Sequence, residues 1–256
     1  MPLTFPAHQA PLLPLKIARP AWFDGTALVV AAGAPDLNHA FGPSDPIASH
    51  DWDGLFLWAI PFAMVYATMF RRWAADGLFA ATGDLGPLRL RSYRVLGARR
   101  PNPLVTFGSA FLGGGSHILL DSFTHSDRWG SELAGLSDPD FTVLGRSVSI
   151  ADALGLVGSS VGSVLGALLF VLIASEGHLE RWYGESTVRN ARRRWHREGA
   201  GWRLLLCLGI GGIVTLAWST TGTRSQAIFI AGFVFVLSLL VAGMWIQSAA
   251  PPDERD

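Results

Sequence analysis

The sequence predicts an all-α fold, a polytopic membrane helical bundle of about five transmembrane helices plus short N-terminal helices. Three observations lead there. Hydrophobic residues fill 50% of the 256 positions and charged residues only 16%, whereas a soluble domain carries about 25% charge. The chain holds 10 Trp and 15 Phe, side chains at home in and beside a bilayer. Five stretches approach the roughly 20 apolar residues needed to cross about 30 Å of hydrocarbon. This composition excludes a disordered chain, a disulfide scaffold and a collagen-like repeat. With 20 basic and 20 acidic residues the net charge is +0, so the expected partner is the lipid bilayer and no nucleic acid. Cys207 is the single cysteine, so no disulfide forms within the chain.

The elements follow from hydropathy and punctuation. The opening MPLTFPAHQ lacks a basic segment followed by a long apolar one, so no cleaved signal peptide is expected. Residues 26–34 are apolar but too few to span and read as a buried or re-entrant helix. The first span is residues 54–70, stopped by Arg71 and Arg72; the second is 103–120, diluted by Gly113–Gly115 and His117. The others are 150–174, 202–219 and 227–246. The chain therefore reads as one integral membrane domain over residues 1–256, with 1–130 as the half bearing a candidate metal site and 150–247 as three transmembrane helices with an Arg-rich loop.

Charge sets the orientation. Residues 71–100 hold seven Arg against two acids, and residues 175–203 hold seven against four. Both loops should be cytoplasmic by the positive-inside rule. Residues 121–149 hold two Arg against five acids, and residues 1–53 hold Lys16 and Arg19 against five acids; both should face outward. Five spans then place the N-terminus outside and the C-terminal PPDERD inside. The third span carries Gly158, Gly162 and Gly166, a small-residue stripe that lets helices approach closely, either within the chain or in a homodimer.

The chemistry concentrates in histidines and aspartates. His178 and His196 lie among Arg and Glu of the second inner loop. The other five histidines fall on the predicted outer side. His39 follows Asp36 in APDLNH; His50 precedes Asp51 and Asp53; His117, Asp121 and His125 recur at steps of four in SHILLDSFTH. On a helix, residues four apart share a face about 6 Å apart along the axis, so His117 and Asp121 can grip one divalent metal, with zinc the natural choice for imidazole and carboxylate. His125 lies about 12 Å from His117 along an unbroken helix: either the helix ends near Ser122 and the chain turns back, or two ions lie side by side. Asp51 and Asp53 read as helix-start acids.

The motifs MPLTFPAH, LVVAAGAPDLNH, the Ser-His before an apolar span, and GSHILLDSFTH together resemble the DUF4184 membrane proteins. They are also similar to the wider group of membrane-bound metal-dependent hydrolases, distantly like zinc-dependent phospholipase C. The resemblance spans about residues 1–130 by motif and the rest by hydropathy alone. It implies metal-ligand roles for His8, Asp36, His50, His117, Asp121 and His125, and a bacterial cytoplasmic membrane as the location.

A divalent ion among those ligands would lower the pKa of a coordinated water toward about 7 and polarise a phosphoryl or acyl oxygen. A carboxylate outside the ligand set, or His39, would serve as general base. A site at headgroup level points to a lipid-type substrate, a phosphoester or other ester of a lipid or envelope intermediate. Two other classes compete: a non-catalytic scaffold with a structural metal, and a transporter of metal ions or protons. The fourth and fifth spans carry almost no polar residues, which counts against transport.

Overall fold

The first span begins at Trp52, two residues before the stretch read from hydropathy, and runs unbroken to Thr82. The computed structural model describes residues 5–42, 47–143, 145–193, 200–219 and 224–249. The MPLT opening, the Arg194–Trp195–His196 run and the C-terminal PPDERD lie outside the described residues. Within them the fold is all-α save the antiparallel pairing of β1 (Pro139–Val143) with β2 (Arg146–Ser149) and an isolated bridge between Leu85 and Leu88. Five helices are long and apolar enough to cross a membrane.

Three short helices precede the spans: α1 (Leu13–Ala18), α2 (Gly25–Ala31) and α3 (Ala34–Asn38). The Asp24 carboxylate caps α2, accepting from the amides of Thr26 and Ala27 at 3.2 and 3.3 Å, which satisfies donors that a helix start leaves open. Ala27, Leu28 and Ala31 are fully buried; the apolar run 26–34 is thus helical to Ala31 and resumes in α3 at Ala34. Lys16, the chain's one lysine, is buried and donates to the carbonyls of Pro20 and Phe23 at 2.7 and 2.8 Å. A compact ammonium suits that pair of acceptors better than a planar guanidinium.

The spans are α4 (Trp52–Thr82), α5 (Pro103–Thr124), α7 (Ile150–Ser175), α9 and α10, with the five-residue α6 (Trp129–Leu133) between α5 and β1. Here α9 denotes Gly201–Ser219 and α10 Arg224–Ser248; α8 (Glu185–Arg193) precedes them. Arg71 and Arg72 do not stop α4, correcting the sequence boundary: Arg71 is buried, so it faces protein instead of marking the end of the helix. A wide π turn at Leu55–Ala59 closes with the Ile60 amide on the Leu55 carbonyl. It lies just ahead of Pro61, which has no N–H and would collide with the preceding turn of a regular helix. On α7 the side chains of Leu154, Val157, Val161, Val164 and Leu168 are exposed, and only 11% of its apolar window is buried by protein. Apolar side chains that meet no protein need lipid around them. The Ser149 hydroxyl and Asp152 carboxylate form a reciprocal cap at the start of α7.

Contacts gather into two units. The first comprises the described residues of Met1–Asp36, Asp45–Ala63 and Leu104–Leu169. In it Leu12, Leu28 and Ala32 form a core with Phe23 and Leu112. The triple glycine of α5 permits this packing: a Cβ on Gly113 would lie 2.5 Å from the Leu28 carbonyl oxygen, and one on Gly114 2.6 Å from Leu55 Cδ1. Gly162 and Gly166 of α7 pack on Ala7 and Pro6, within the chain, whereas Gly158 meets nothing within 4 Å.

The second unit comprises the described residues of Leu37–Ser44, Met64–Pro103 and Phe170–Asp256. Here the two Arg-rich loops fold together. Val95 of the 3-10 helix Leu90–Ala98 packs with Leu179, Val188 and Ala191. Arg94, buried, donates to both oxygens of Asp76 at 2.9 and 3.1 Å. Arg192 joins Asp84 at 2.6 Å, and Arg89 joins Glu180 at 3.1 Å. Loops predicted to share one side of the membrane are thus in mutual contact.

Candidate metal centre

Four side chains from three stretches of the first unit converge. Asp36 comes from α3, His50 from the turn ahead of α4, and His117 with Asp121 from consecutive turns of α5. All four are buried, and one ligand atom from each lies within 4.8 Å of the others. His50 Nε2 is 3.2 Å from Asp36 Oδ1 and 3.7 Å from Asp121 Oδ2. His117 Nε2 is 3.3 Å from Asp121 Oδ2 and 3.8 Å from Asp36 Oδ1. Bonds of about 2.0–2.2 Å in a tetrahedral zinc site put ligand atoms about 3.3–3.6 Å apart, so the spacing suits a small divalent cation.

Local packing sets each residue. The indole N–H of Trp58 donates to the Ala34 carbonyl at 2.7 Å, pinning α3 to α4. Gly54 lets the Ser49–His50 segment fold onto the start of α4, since a Cβ there would lie 2.5 Å from Ser49 Cα.

The outer hydrogen bonds choose the tautomers. His117 Nδ1 is 2.8 Å from the Ala32 carbonyl, which can only accept, so Nδ1 carries the proton. The Ser49 hydroxyl gives its hydrogen to the Pro35 carbonyl at 3.0 Å and must therefore accept from His50 Nδ1 at 3.1 Å. Both Nε2 atoms then face the carboxylates, that of His50 at hydrogen-bond distance from Asp36 Oδ1 (3.2 Å) and that of His117 without an aligned partner. Two buried carboxylates need two positive charges: two extra imidazole protons or one divalent cation. A proton on His117 Nε2 would need an aligned acceptor. That atom is fully buried and has no hydrogen-bond partner, which favours the cation. Holding Nδ1 by a carbonyl or hydroxyl is how metal-ligating histidines are oriented.

His8 and His125 stand beside this group, on the other oxygen of Asp121. His8 Nε2 is 3.5 Å and His125 Nδ1 3.8 Å from Asp121 Oδ1. The His8 ring stacks on His117 with centroids 3.9 Å apart, and its Nδ1 is buried without a hydrogen-bond partner. Burial, the largest cause, pushes His8 well below its ordinary value, so it is neutral at pH 7. His125 is held by the Asp121 carbonyl at 3.3 Å and is partly exposed; α5 runs through Thr124, two residues past Ser122, and His125 stays outside the group of four. His39 belongs to the second unit, its ring 5.1 Å from Phe229. Asp51 does not cap α4 with its side chain but meets Arg128 at 3.3 Å.

Sequence reasoning did not single out Ser49, although it stands beside His50 in the Ser-His pair, nor the Ala32 and Pro35 carbonyls, whose roles no side-chain pattern announces. The chain matches no curated protein and no solved structure. A family model described as "Domain of unknown function (DUF4184)" covers residues 1–249, and the chain belongs to that family.

Proposed function

We propose that the protein is a membrane-bound metal-dependent hydrolase, acting on a phosphoester or other ester of a lipid or envelope substrate at the outer face of a bacterial cytoplasmic membrane. The metal is divalent, zinc by ligand type, held by Asp36, His50, His117 and Asp121. One observation carries the reading: four buried side chains bring one potential ligand atom each within 4.8 Å of the others, with both imidazoles held from behind by Ala32 and Ser49. A divalent ion there supplies Lewis acidity and an activated water. The chain's own residues do the rest. The two carboxylates offset the ion's charge. His8, neutral and stacked on His117, braces Asp121 through its second oxygen together with His125. The site lies where α4 begins and α5 ends, which supports a position near the lipid headgroups. The outward orientation rests on the Arg-rich loops facing the cytoplasm, and a homodimer on the Gly158 side of α7 is a separate proposal.

Four protein ligands also match the count of a closed structural zinc site, so the scaffold reading stays in the test. Detergent-purified protein is assayed on bis(p-nitrophenyl) phosphate and on a fluorescent phospholipid. The hydrolase reading expects turnover that chelation abolishes, zinc or manganese restores, and Asp121→Ala lacks. Stoichiometric metal with no turnover on either substrate class would favour the scaffold.

A further inference from the structure

We infer that Arg128 is the substrate-recognition residue of this site, receiving an anionic group of the phosphoryl type. The inference rests on the four-ligand metal reading and adds what that reading lacks, a partner for negative charge. A divalent ion with Asp36 and Asp121 sums to zero, so the centre alone attracts an anion weakly at range. Among the described side chains of this unit, the other cations are engaged elsewhere. Lys16 is buried on two carbonyls, and the Arg19 guanidinium lies over Trp22; the Arg146 side chain is outside the described set.

Arg128 is placed differently. Among the described residues its guanidinium makes one polar contact, at 3.3 Å to Asp51 Oδ1, with 30% of the side chain exposed against 63% for Asp51. A guanidinium has five N–H donors in a planar fork suited to phosphate, so most of this one is unspent. The backbone, by contrast, is fixed: the single hydrogen of the buried Ser131 hydroxyl is shared between the His125 carbonyl at 2.6 Å and the Arg128 carbonyl at 2.7 Å. Asp51 directly follows the ligand His50, and Arg128 follows His125 by three residues. The pair therefore bridges the two segments that carry the ligands, on their solvent side. An exposed ion pair of this kind is weak, so an incoming anion can take Arg128 and release Asp51 to water. Trp52 and Trp129 each follow one member of the pair, and both are exposed. Tryptophans at span ends mark the interface, which sets the guanidinium at the depth of lipid headgroups.

The test uses zinc-loaded, detergent-purified full-length protein titrated calorimetrically with inorganic phosphate and with dihexanoyl phosphatidate. Wild type is compared with Arg128→Gln, Arg128→Lys and Asp51→Asn, each checked for unchanged metal content. Losing a charge-assisted hydrogen bond weakens binding by about 10-fold or more, so Arg128→Gln should weaken both probes by that factor and Arg128→Lys by less. Asp51→Asn should tighten them by about 2-fold or more, the worth of an exposed pair. Phosphatidate held far more tightly than phosphate assigns the anion to a lipid headgroup, and equal affinities assign it to a free phosphate group. Wild-type affinity in Arg128→Gln would overturn the role of Arg128 and leave the metal reading standing. Metal-loaded wild type that takes neither probe would overturn the phosphoester reading itself.

Discussion

Gly113→Val is expected to destabilise the protein by about 3 kcal/mol, the upper end of ordinary overpacking, and to strip it of metal. The new Cβ would sit 2.5 Å from the Leu28 carbonyl oxygen and 3.0 Å from Ala31 Cβ. Neither neighbour is a flexible side-chain end, so α2 itself must move. It carries the Ala32 carbonyl with it, and that carbonyl orients His117. Gly108→Ala on the same helix is the control. Nothing lies within 4 Å of its Cβ position, and alanine in a helix interior is favoured over glycine by about 0.5–1 kcal/mol. Thermal unfolding in detergent with metal analysis reads both effects. A Gly113→Val protein with native melting temperature and full metal would contradict the packing described for α2 on α5.

Chelation should cost at least as much stability. A ligand present at about 1,000 times its Kd stabilises the folded state by about 4 kcal/mol, which for a chain of this size is about 10 °C in melting temperature. Removing the ion also leaves Asp36 and Asp121 buried and facing two imidazole lone pairs. Asp36→Ala should show a low melting temperature that a chelator does not lower further. Protons compete with metal for the imidazole nitrogens, so the chelator-sensitive increment is present at about pH 8 and shrinks as the pH falls toward about 5. A melting temperature indifferent to chelator in wild type would contradict a bound metal that matters to the fold.

The spans were legible because hydropathy needs no partner: the ends of α7 and α9 fall within one residue of the expected ones. The end of α4 was not, because whether an arginine stops a helix depends on what surrounds it, and Arg71 is buried. The His117–Asp121 pair could be read from helical spacing alone. Asp36 and His50 could be read as candidates, but their meeting depends on Gly54 and Trp58 folding one segment onto another. The small-residue stripe of α7 was visible, whereas its occupant, the Pro6–Ala7 segment leading to His8, was not. Arg128 entered the sequence reading only as a unit of loop charge; its standing beside Asp51 is a tertiary fact.

The central claim is that Asp36, His50, His117 and Asp121 hold one divalent ion. Mass spectrometry of metals in detergent-purified protein tests it most directly, comparing wild type with Asp36→Ala and with the double variant His117→Ala, Asp121→Ala. Near-stoichiometric zinc or manganese in wild type, lost from both variants although they lie on separate segments, is the expected result. Wild type without metal even after reconstitution, or metal retained in both variants, would contradict it.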